Sequence, residues 1–220
     1  MATRRVLGEA ADELARRDRA LGKVVREVGP PDLRRGRPRR EHFAELARAI
    51  LYQQLAGSAA RAITARFDAL FEHGRPTPEA VLARRVSTLR KAGLSGSKVA
   101  SIRDLAAKTL SGDVDLDRIA RRSDDEVVRQ LTQVRGIGRW TAEMFLIFQL
   151  GRLDVWPIDD YGVRKGYARI YALPELLAAK EMEPRGDAYR PYRSVAAWYC
   201  WRAADTATPD GQGGTKRATS

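Results

Sequence analysis

The chain has 220 residues, 44% of them hydrophobic, so it is long enough for one large domain or two small ones with a hydrophobic core. Its formal net charge of +12 predicts an affinity for polyanions, because each neutralised phosphate releases condensed counterions; a solvated basic surface is the alternative. One cysteine and two histidines exclude a disulfide and a four-cysteine iron–sulfur cluster within the chain and argue against a zinc site.

Helical periodicity begins near the N-terminus. One helix is predicted within residues 1–40 from the spacing of the apolar residues Val6, Ala10, Leu14 and Leu21. The arginine-rich run 34–40 follows it. Such a run could contact a nucleic-acid backbone, but runs of this kind are more often solvated linkers, and both interpretations stay open.

Five further segments before residue 132 carry the apolar spacing of amphipathic helices. Two of them have recognisable starts: Pro78 stands at a first helical position after Thr77, and Ser123 to Glu126 forms a capping box. No segment alternates with a period of two for long enough to predict a strand, so the fold class is all-α. The five apolar segments are Phe43–Leu51, Ala60–Phe71, Val81–Leu89, Val99–Ala106 and Val127–Leu131.

A hairpin between two helices is predicted at Arg135–Arg139. Gly136 and Gly138 flank one apolar residue, directly after one helical pattern and directly before another, Trp140–Leu150. Glycine can take backbone conformations closed to other residues and lets a neighbouring chain approach the main-chain amides. The first amides of a helix are unpaired and lie at the positive end of its dipole, so they suit a phosphate. The hairpin is therefore predicted to bind a phosphodiester.

Two acids, Asp159 and Asp160, follow the hairpin at a fixed distance along the chain. Tyr161, Val163 and Tyr167 continue with helical periodicity, so Asp160 stands at an N-cap position. A purely capping role is the alternative to a functional one, and the two roles can hold together. The helix N-terminus favours the ionised carboxylate, whereas burial would oppose ionisation.

The C-terminal part predicts two more helices. Pro174 is expected to start a helix that runs through Met182. The segment Arg190–Ser194 then leads into an aromatic helix that contains Trp201, and aromatic residues on such a helix are more often core than binding residues. Residues 203–220 lack periodicity and are predicted to be disordered.

The hairpin segment resembles the signature of the helix-hairpin-helix (HhH-GPD) DNA glycosylase superfamily, which is Leu-x-x-x-x-Gly-Ile-Gly-x-x-Thr-Ala, followed about two dozen residues later by Asp. Within the superfamily, Trp140 and the triplet Asp159–Tyr161 look like the 3-methyladenine DNA glycosylase II (AlkA) branch. The resemblance covers roughly Glu41 to Arg202. The matching residues are Leu131, Gly136, Ile137, Gly138, Thr141, Ala142 and Asp160.

The resemblance implies an all-α fold of two lobes with the active-site cleft between them. One lobe, residues 1–40 and 151–202, would carry the catalytic Asp. The other lobe, residues 41–150, would be a helical barrel that ends in the helix-hairpin-helix, and residues 203–220 would form a disordered tail. The best-known AlkA-type enzymes have an additional N-terminal β-rich domain, for which the residues before Phe43 leave no room, so a compact member is expected.

The implied activity is that of a monofunctional DNA glycosylase of base excision repair, which flips alkylated purines such as 3-methyladenine and 7-methylguanine in double-stranded DNA and excises them hydrolytically. Relatives that also cut the strand have a lysine where this chain has Trp140, so no Schiff-base route is expected from that position. Two alternatives are a superfamily enzyme for oxidised or mismatched bases and a helix-hairpin-helix DNA-binding module without catalysis. We expect a monomer that binds damaged double-stranded DNA.

We also expect a cytoplasmic, nucleoid-associated protein with no membrane contact. No apolar run approaches the ~20 residues of a membrane span, and the N-terminus lacks the apolar core of a signal peptide. No organic cofactor and no iron–sulfur cluster are expected.

The resemblance also assigns site residues. Asp160 is the catalytic carboxylate, which stabilises an oxocarbenium-like sugar, and Asp159 is the second choice. Leu55 is the DNA wedge with Gln54 as its rival, although Leu55 could simply be a core leucine at a helix end. Met144 replaces a family tyrosine, which predicts a more open pocket. The other assignments are phosphate contacts at Gly136, Gly138, Arg139 and Thr141, a base pocket of Trp140, Met144, Tyr161 and Trp201, and the backbone carbonyls of Thr132, Val134 and Ile137 as ligands of a monovalent Na⁺ or K⁺ ion.

Overall fold

The computed structural model describes residues 4–33, 42–55 and 57–205, and all regular structure in these ranges is helical. The all-α prediction is confirmed. Within the same ranges, no helix has the length and apolar character needed to cross a membrane. The arginine-rich run 34–40 and residues 206–220 lie outside the described residues.

The described residues form two compact units. The central unit contains those of Arg34–Arg152, and the terminal unit contains those of Ala2–Leu33 and Leu153–Ser220. Each unit has its own hydrophobic core.

The core of the central unit lies where helix α3 (His42–Tyr52) packs against helix α7 (Gly96–Ser111). Leu46 and Ile50 on α3 and Ile102 and Leu105 on α7 are almost completely buried, and burial of each such side chain stabilises the fold by about 1.5–3 kcal/mol. The helices of this unit are α3 (His42–Tyr52), α4 (Gly57–Asp68), α5 (Pro78–Ala83), α6 (Val86–Lys91), α7 (Gly96–Ser111), α8 (Asp124–Leu131) and α9 (Arg139–Met144), with 3₁₀ turns at Glu72–Gly74 and Ile119–Arg121.

The helix starts of the central unit follow from short polar motifs. The Thr77 hydroxyl accepts a hydrogen bond from the Ala80 amide at 3.2 Å, one residue before Pro78 opens α5. The predicted capping box of α8 is present, because Ser123 Oγ accepts from the Glu126 amide and Glu126 accepts from the Ser123 amide at 2.9 Å. These side chains satisfy amides that a helix leaves unpaired in its first turn.

The helix predicted for Trp140–Leu150 changes from an α-helix to a π-helix after Met144. After α9 the chain forms a π-helical segment, Phe145–Gln149, in which the Leu150 amide donates to the Phe145 carbonyl at 3.0 Å. The Gln149 side-chain amide is hydrogen-bonded to His42 Nδ1 at 2.7 Å, which ties the segment to the start of α3. Single turns of π-helix are rare and frequently lie at functional sites.

The terminal unit begins with two helices where one was expected. Asp18 interrupts the N-terminal helical pattern, and its carboxylate accepts from the Leu21 amide at 2.9 Å, so a second helix starts there. The helices of this unit are α1 (Arg4–Arg17), α2 (Arg19–Val28), α10 (Tyr161–Ile170), α11 (Ala179–Arg185) and α12 (Arg193–Asp205), with a 3₁₀ turn at Gly186–Tyr189.

Two further boundaries differ from the sequence prediction. Pro174 does not start a helix; α11 begins at Ala179, where Glu181 accepts a hydrogen bond from the Ala178 amide at 2.6 Å. The last helix continues to Asp205 because Ala203 packs in the core, so the segment predicted to be disordered does not begin at residue 203.

Helices α10 and α12 cross very closely in the terminal unit. At Gly166 an added Cβ would lie 1.8 Å from the carbonyl oxygen of Cys200, a distance at which only a hydrogen atom fits. A residue without a side chain is therefore required at this crossing. The crossing brings the start of α10 close to the middle of α12, and both carry predicted site residues.

Candidate active site and nucleic-acid interface

The hairpin between α8 and α9 has one glycine in a special backbone conformation. Gly136 has a φ of +79°, and an added Cβ there would lie 2.8 Å from Ser101 Oγ, so both backbone and space require glycine. Gly138 is extended, with a φ of −92°, and nothing lies within 4 Å of an added Cβ. Of the two glycines, only Gly136 therefore adopts a backbone conformation that favours glycine. Gly138 is exposed and has no side chain, so a phosphate can approach its backbone amide closely.

Two of the four predicted phosphate contacts, Arg139 and Thr141, have polar side chains. These two residues differ in how exposed they are. Arg139 is exposed on the first turn of α9, where its guanidinium pairs with the buried Glu143 carboxylate at 2.9 Å. Thr141 is buried, so its side chain does not lie on the outer surface of the hairpin. A phosphate role for Thr141 is therefore limited to its backbone amide.

A cavity of about 440 Å³ lies in the central unit between α3 and the helix that follows the hairpin. Thr141, Met144 and Phe148 contribute to one wall, and Arg48 and Tyr52 on α3 contribute to the other. Met144 is one of the residues that line this cavity, and its assignment to a base pocket stays a prediction. The volume is within the range of about 300–1,000 Å³ that is common for small-molecule sites.

The turn that follows α3 contains the two residues that were predicted as wedge candidates, Gln54 and Leu55. Gln54 is exposed and has a φ of +56°, a left-handed conformation that is uncommon for a residue other than glycine. Leu55 is half-buried. Strained positions of this kind cost about 1–3 kcal/mol and persist mainly at functional sites.

Asp160 is the N-cap of α10, as predicted, and its contacts extend beyond capping. Its Oδ1 atom accepts a hydrogen bond from the Val163 amide at 2.8 Å and a second from Trp201 Nε1 at 2.8 Å. Asp160 is 8% exposed, so its carboxylate is held in a fixed orientation at a largely buried position. A carboxylate needed only as a cap would not require the indole donor.

The predicted site residues around Asp160 differ in how far they are buried. Asp159, the second choice for the catalytic acid, is exposed, and Tyr161 is 63% exposed. Trp201 is half-buried, and it was expected to belong to either the core or the pocket. Its indole N–H donates to Asp160, so this tryptophan orients the predicted catalytic group.

The four predicted base-pocket residues are divided between the two units. Trp140, which is 45% exposed, and Met144 belong to the central unit. Tyr161 and Trp201 belong to the terminal unit, together with Asp160.

Sequence analysis missed a glycine that makes the Asp160–Trp201 contact possible. At Gly162 an added Cβ would lie 2.8 Å from Trp201 Cδ1 and 3.1 Å from Asp160 Oδ1. Together with Gly166 it forms a pair of glycines four residues apart, on the helix face that packs against α12. That spacing was visible in the sequence and could have indicated a close helix crossing.

Metal-ion ligands of the usual acidic, cysteine or histidine type are not clustered in the described ranges, where no group of three such residues could hold an ion. The backbone carbonyls predicted to bind a monovalent cation lie in the hairpin. The Val134 carbonyl accepts from the Ile137 amide at 3.0 Å.

Comparison with known proteins gives consistent matches. Residues 47–189 match the family model of the HhH-GPD superfamily base excision DNA repair protein. The chain is 36% identical over 203 residues to DNA-3-methyladenine glycosylase 1 of Schizosaccharomyces pombe, a match that covers 91% of this chain and 89% of that protein.

Two solved structures have the same fold at similar identity. One is a 3-methyladenine DNA glycosylase of the same yeast in complex with abasic DNA, with a TM-score of 0.77 and 36% identity over 88% of this chain and 95% of that chain. The other is a DNA-3-methyladenine glycosidase from Bacillus halodurans, with a TM-score of 0.81 and 34% identity over 90% of this chain and 89% of that chain.

Proposed function

Because the chain belongs to the HhH-GPD superfamily of base excision DNA repair proteins, we propose that it is a monofunctional DNA glycosylase that flips alkylated purines in double-stranded DNA and excises them by hydrolysis. The observation that carries the proposal is the geometry of Asp160. A largely buried carboxylate is held by a backbone amide and an indole N–H, in a chain that also carries the hairpin signature. The names of the relatives give the lesion class, which includes 3-methyladenine.

DNA would be held mainly through its phosphates. The amides around Gly138 and the exposed guanidinium of Arg139 provide donors, and the net charge of +12 supplies long-range attraction. The carbonyls of Thr132, Val134 and Ile137 would hold a Na⁺ or K⁺ ion, since each carbonyl oxygen has two lone pairs and can accept a second partner. That ion would add positive charge beside the bound phosphate. We also propose that the protein acts as a monomer.

Gln54 is the proposed wedge, in preference to Leu55. It is the exposed residue of the turn, and its strained backbone directs one side chain outward at a fixed point. Leu55 is half-buried and is the less suitable residue to enter a base stack. A wedge is needed because flipping a nucleotide costs a few kcal/mol and leaves a gap in the duplex.

Asp160 supplies the chemistry. An alkylated purine already carries positive charge, so when the bond between C1′ and the base nitrogen breaks, its electron pair neutralises the departing base. The deoxyribose is left as an oxocarbenium-like cation, which a fixed carboxylate beside C1′ stabilises. Water then adds to C1′, and its proton leaves to the carboxylate or to solvent. Because Val163 and Trp201 fix the orientation of Asp160, little reorganisation is needed during the reaction.

The exposed aromatic residues, and the tryptophan that stands at position 140 in place of a lysine, indicate base excision without strand cutting. Trp140 and Tyr161 are exposed and can present a ring face to a cationic base. Trp140 also occupies the position at which strand-cutting relatives carry lysine, so no Schiff base forms there. Reduction with borohydride should therefore trap no covalent complex with damaged DNA.

The test is release of free base from DNA that contains 3-methyladenine, 7-methylguanine, ethenoadenine or hypoxanthine. Asp160→Asn should lose excision by orders of magnitude while it keeps its fold and DNA binding, since asparagine also caps helices. The matched control is Asp159→Asn, the same change at the exposed neighbour, which should excise at nearly the rate of the unmodified protein. Excision by Asp160→Asn at the unmodified rate would refute the assignment.

A further inference from the structure

The wedge turn (residues 53–55) and the hairpin between α8 and α9 are joined by a direct hydrogen bond. Gln53 Nε2 donates to the Gly136 carbonyl oxygen at 2.8 Å. The two residues are 83 positions apart in the chain. The bond therefore connects the residue next to Gln54 with a peptide group of the predicted phosphate-binding hairpin.

Helix α7 contacts the chain directly before the wedge turn. Lys98, in its first turn, reaches the end of α3, where Nζ donates to the Leu51 carbonyl at 2.5 Å. Burial lowers the pKa of Lys98, as expected for an ammonium group withdrawn from water to make one specific contact. The bond satisfies a carbonyl that the end of α3 leaves without a helical partner, just before the turn begins.

The same face of α7 supports the hairpin. Ser101 contacts Gly136, and Asp104 Oδ2 accepts a hydrogen bond from the Arg135 amide at 2.8 Å. Lys108, one turn further along, pairs with Asp104 at 2.7 Å. Arg135 is not a proline, so its amide carries the hydrogen that this bond needs.

Positions 98, 101, 104 and 108 are three or four residues apart, so their side chains share one face of α7. This face thus touches the end of α3 at one end and the hairpin at the other. We propose that Gln53, Lys98 and Asp104 are positioning residues that fix the wedge at Gln54 relative to the phosphate-binding hairpin. The inference rests on the proposed function, which assigns those two roles.

The physical basis is that a wedge works only at the correct base step. The hairpin selects the phosphate, and the wedge must then enter the duplex at a set distance from it. A displacement of about 1 Å at a reacting geometry can slow a reaction about 100-fold. Loss of the Gln53 bond leaves the hairpin amides and Asp160 unchanged, so it should impair flipping more than binding.

The experiment uses the full chain and duplex DNA with 2-aminopurine next to a 7-methylguanine, whose fluorescence rises when the base step opens. Gln53→Leu should bind this duplex with nearly unchanged affinity, give a smaller fluorescence rise and show single-turnover excision slowed by about 10–100-fold. Lys98→Met should show the same pattern to a lesser degree. The matched control is Gln130→Leu, which also removes a glutamine contact to a backbone group in the central unit, and it should behave as the unmodified protein.

Gln53→Glu gives a readout that a merely structural role would not produce. An ionised glutamate cannot donate to the Gly136 carbonyl, whereas a protonated one can. Relative to the unmodified protein, Gln53→Glu should be as slow as Gln53→Leu at pH 8 and should recover as pH falls towards 5. Unchanged fluorescence and excision in Gln53→Leu, a loss of affinity equal to the loss of rate, or no recovery of Gln53→Glu would each overturn the proposal.

The two proposals can fail separately. The fluorescence measurements are repeated in the Asp160→Asn background, in which the base stays in place. If the unmodified protein excises no base, the proposed function fails, while the opening of the duplex still reports on the positioning residues.

Discussion

The crossing of α10 and α12 allows a quantitative prediction for Gly166→Ala. The added Cβ would lie 1.8 Å from the Cys200 carbonyl oxygen, and an ordinary contact is at least 3.4 Å, so the helices must move apart by about 1.6 Å. The obstructing atom belongs to the backbone and cannot rotate away. Overpacking of this kind costs about 3 kcal/mol or more. Alanine is the better helix former by about 1 kcal/mol, which leaves a net loss of about 2 kcal/mol or more.

For a chain of this size, that loss corresponds to a fall in Tm of about 4–8 °C. Thermal unfolding followed by far-UV circular dichroism measures it. The movement should also break the bond between Asp160 and Trp201, so excision at a temperature at which the variant is still folded should be slower.

The matched control is Gly8→Ala in α1. An added Cβ at Gly8 meets nothing within 4 Å, so the same chemical change should stabilise the protein by up to about 1 kcal/mol. Opposite signs for the two substitutions would support the reasoning. A Gly166→Ala variant that melts at or above the Tm of the unmodified protein would refute it.

Two further predictions concern single side chains. Trp201→Phe keeps an aromatic ring but removes the N–H donor to Asp160. Because hydrogen bonds to charged groups contribute about 1.5–3 kcal/mol, single-turnover excision should fall about 10- to 100-fold. DNA affinity should change little. Asp104 has a pKa below its ordinary value of 3.8, since burial opposes ionisation but the hydrogen bonds from Lys108 and the Arg135 amide outweigh it. The ionised Asp104 therefore stabilises the fold above pH 3.8, and this contribution is lost as pH falls further through the lowered pKa. The free energies of unfolding of the unmodified protein and of Asp104→Asn should differ most near neutral pH and converge in acid; a difference that grows in acid would contradict the assignment.

The features that sequence analysis predicted correctly are local. The capping box at Ser123, the N-cap at Asp160 and the turn between α8 and α9 each depend on residues within a few positions of one another. Their physical signals, such as a polar side chain before an apolar run, are complete within a short window. The all-α class follows from the same local periodicity.

The features that were missed depend on residues far apart in the sequence. The bond from Trp201 to Asp160 and the bond from Gln53 to Gly136 connect segments whose relative placement no local pattern determines. Pro174 misled the prediction because proline is compatible with a loop as well as with a first helical turn. Packing in the folded state, rather than propensity, decided these cases.

The only cysteine of the chain, Cys200, is 2% exposed, and burial raises the pKa of its thiol. The thiolate is the reactive form of cysteine, so this sulfur remains a protonated and inaccessible group in the folded protein. The methylating electrophiles that create alkylated purines also attack accessible thiolates. A protein that repairs such damage must work while those electrophiles are present, and this one exposes no sulfur nucleophile of that kind to them.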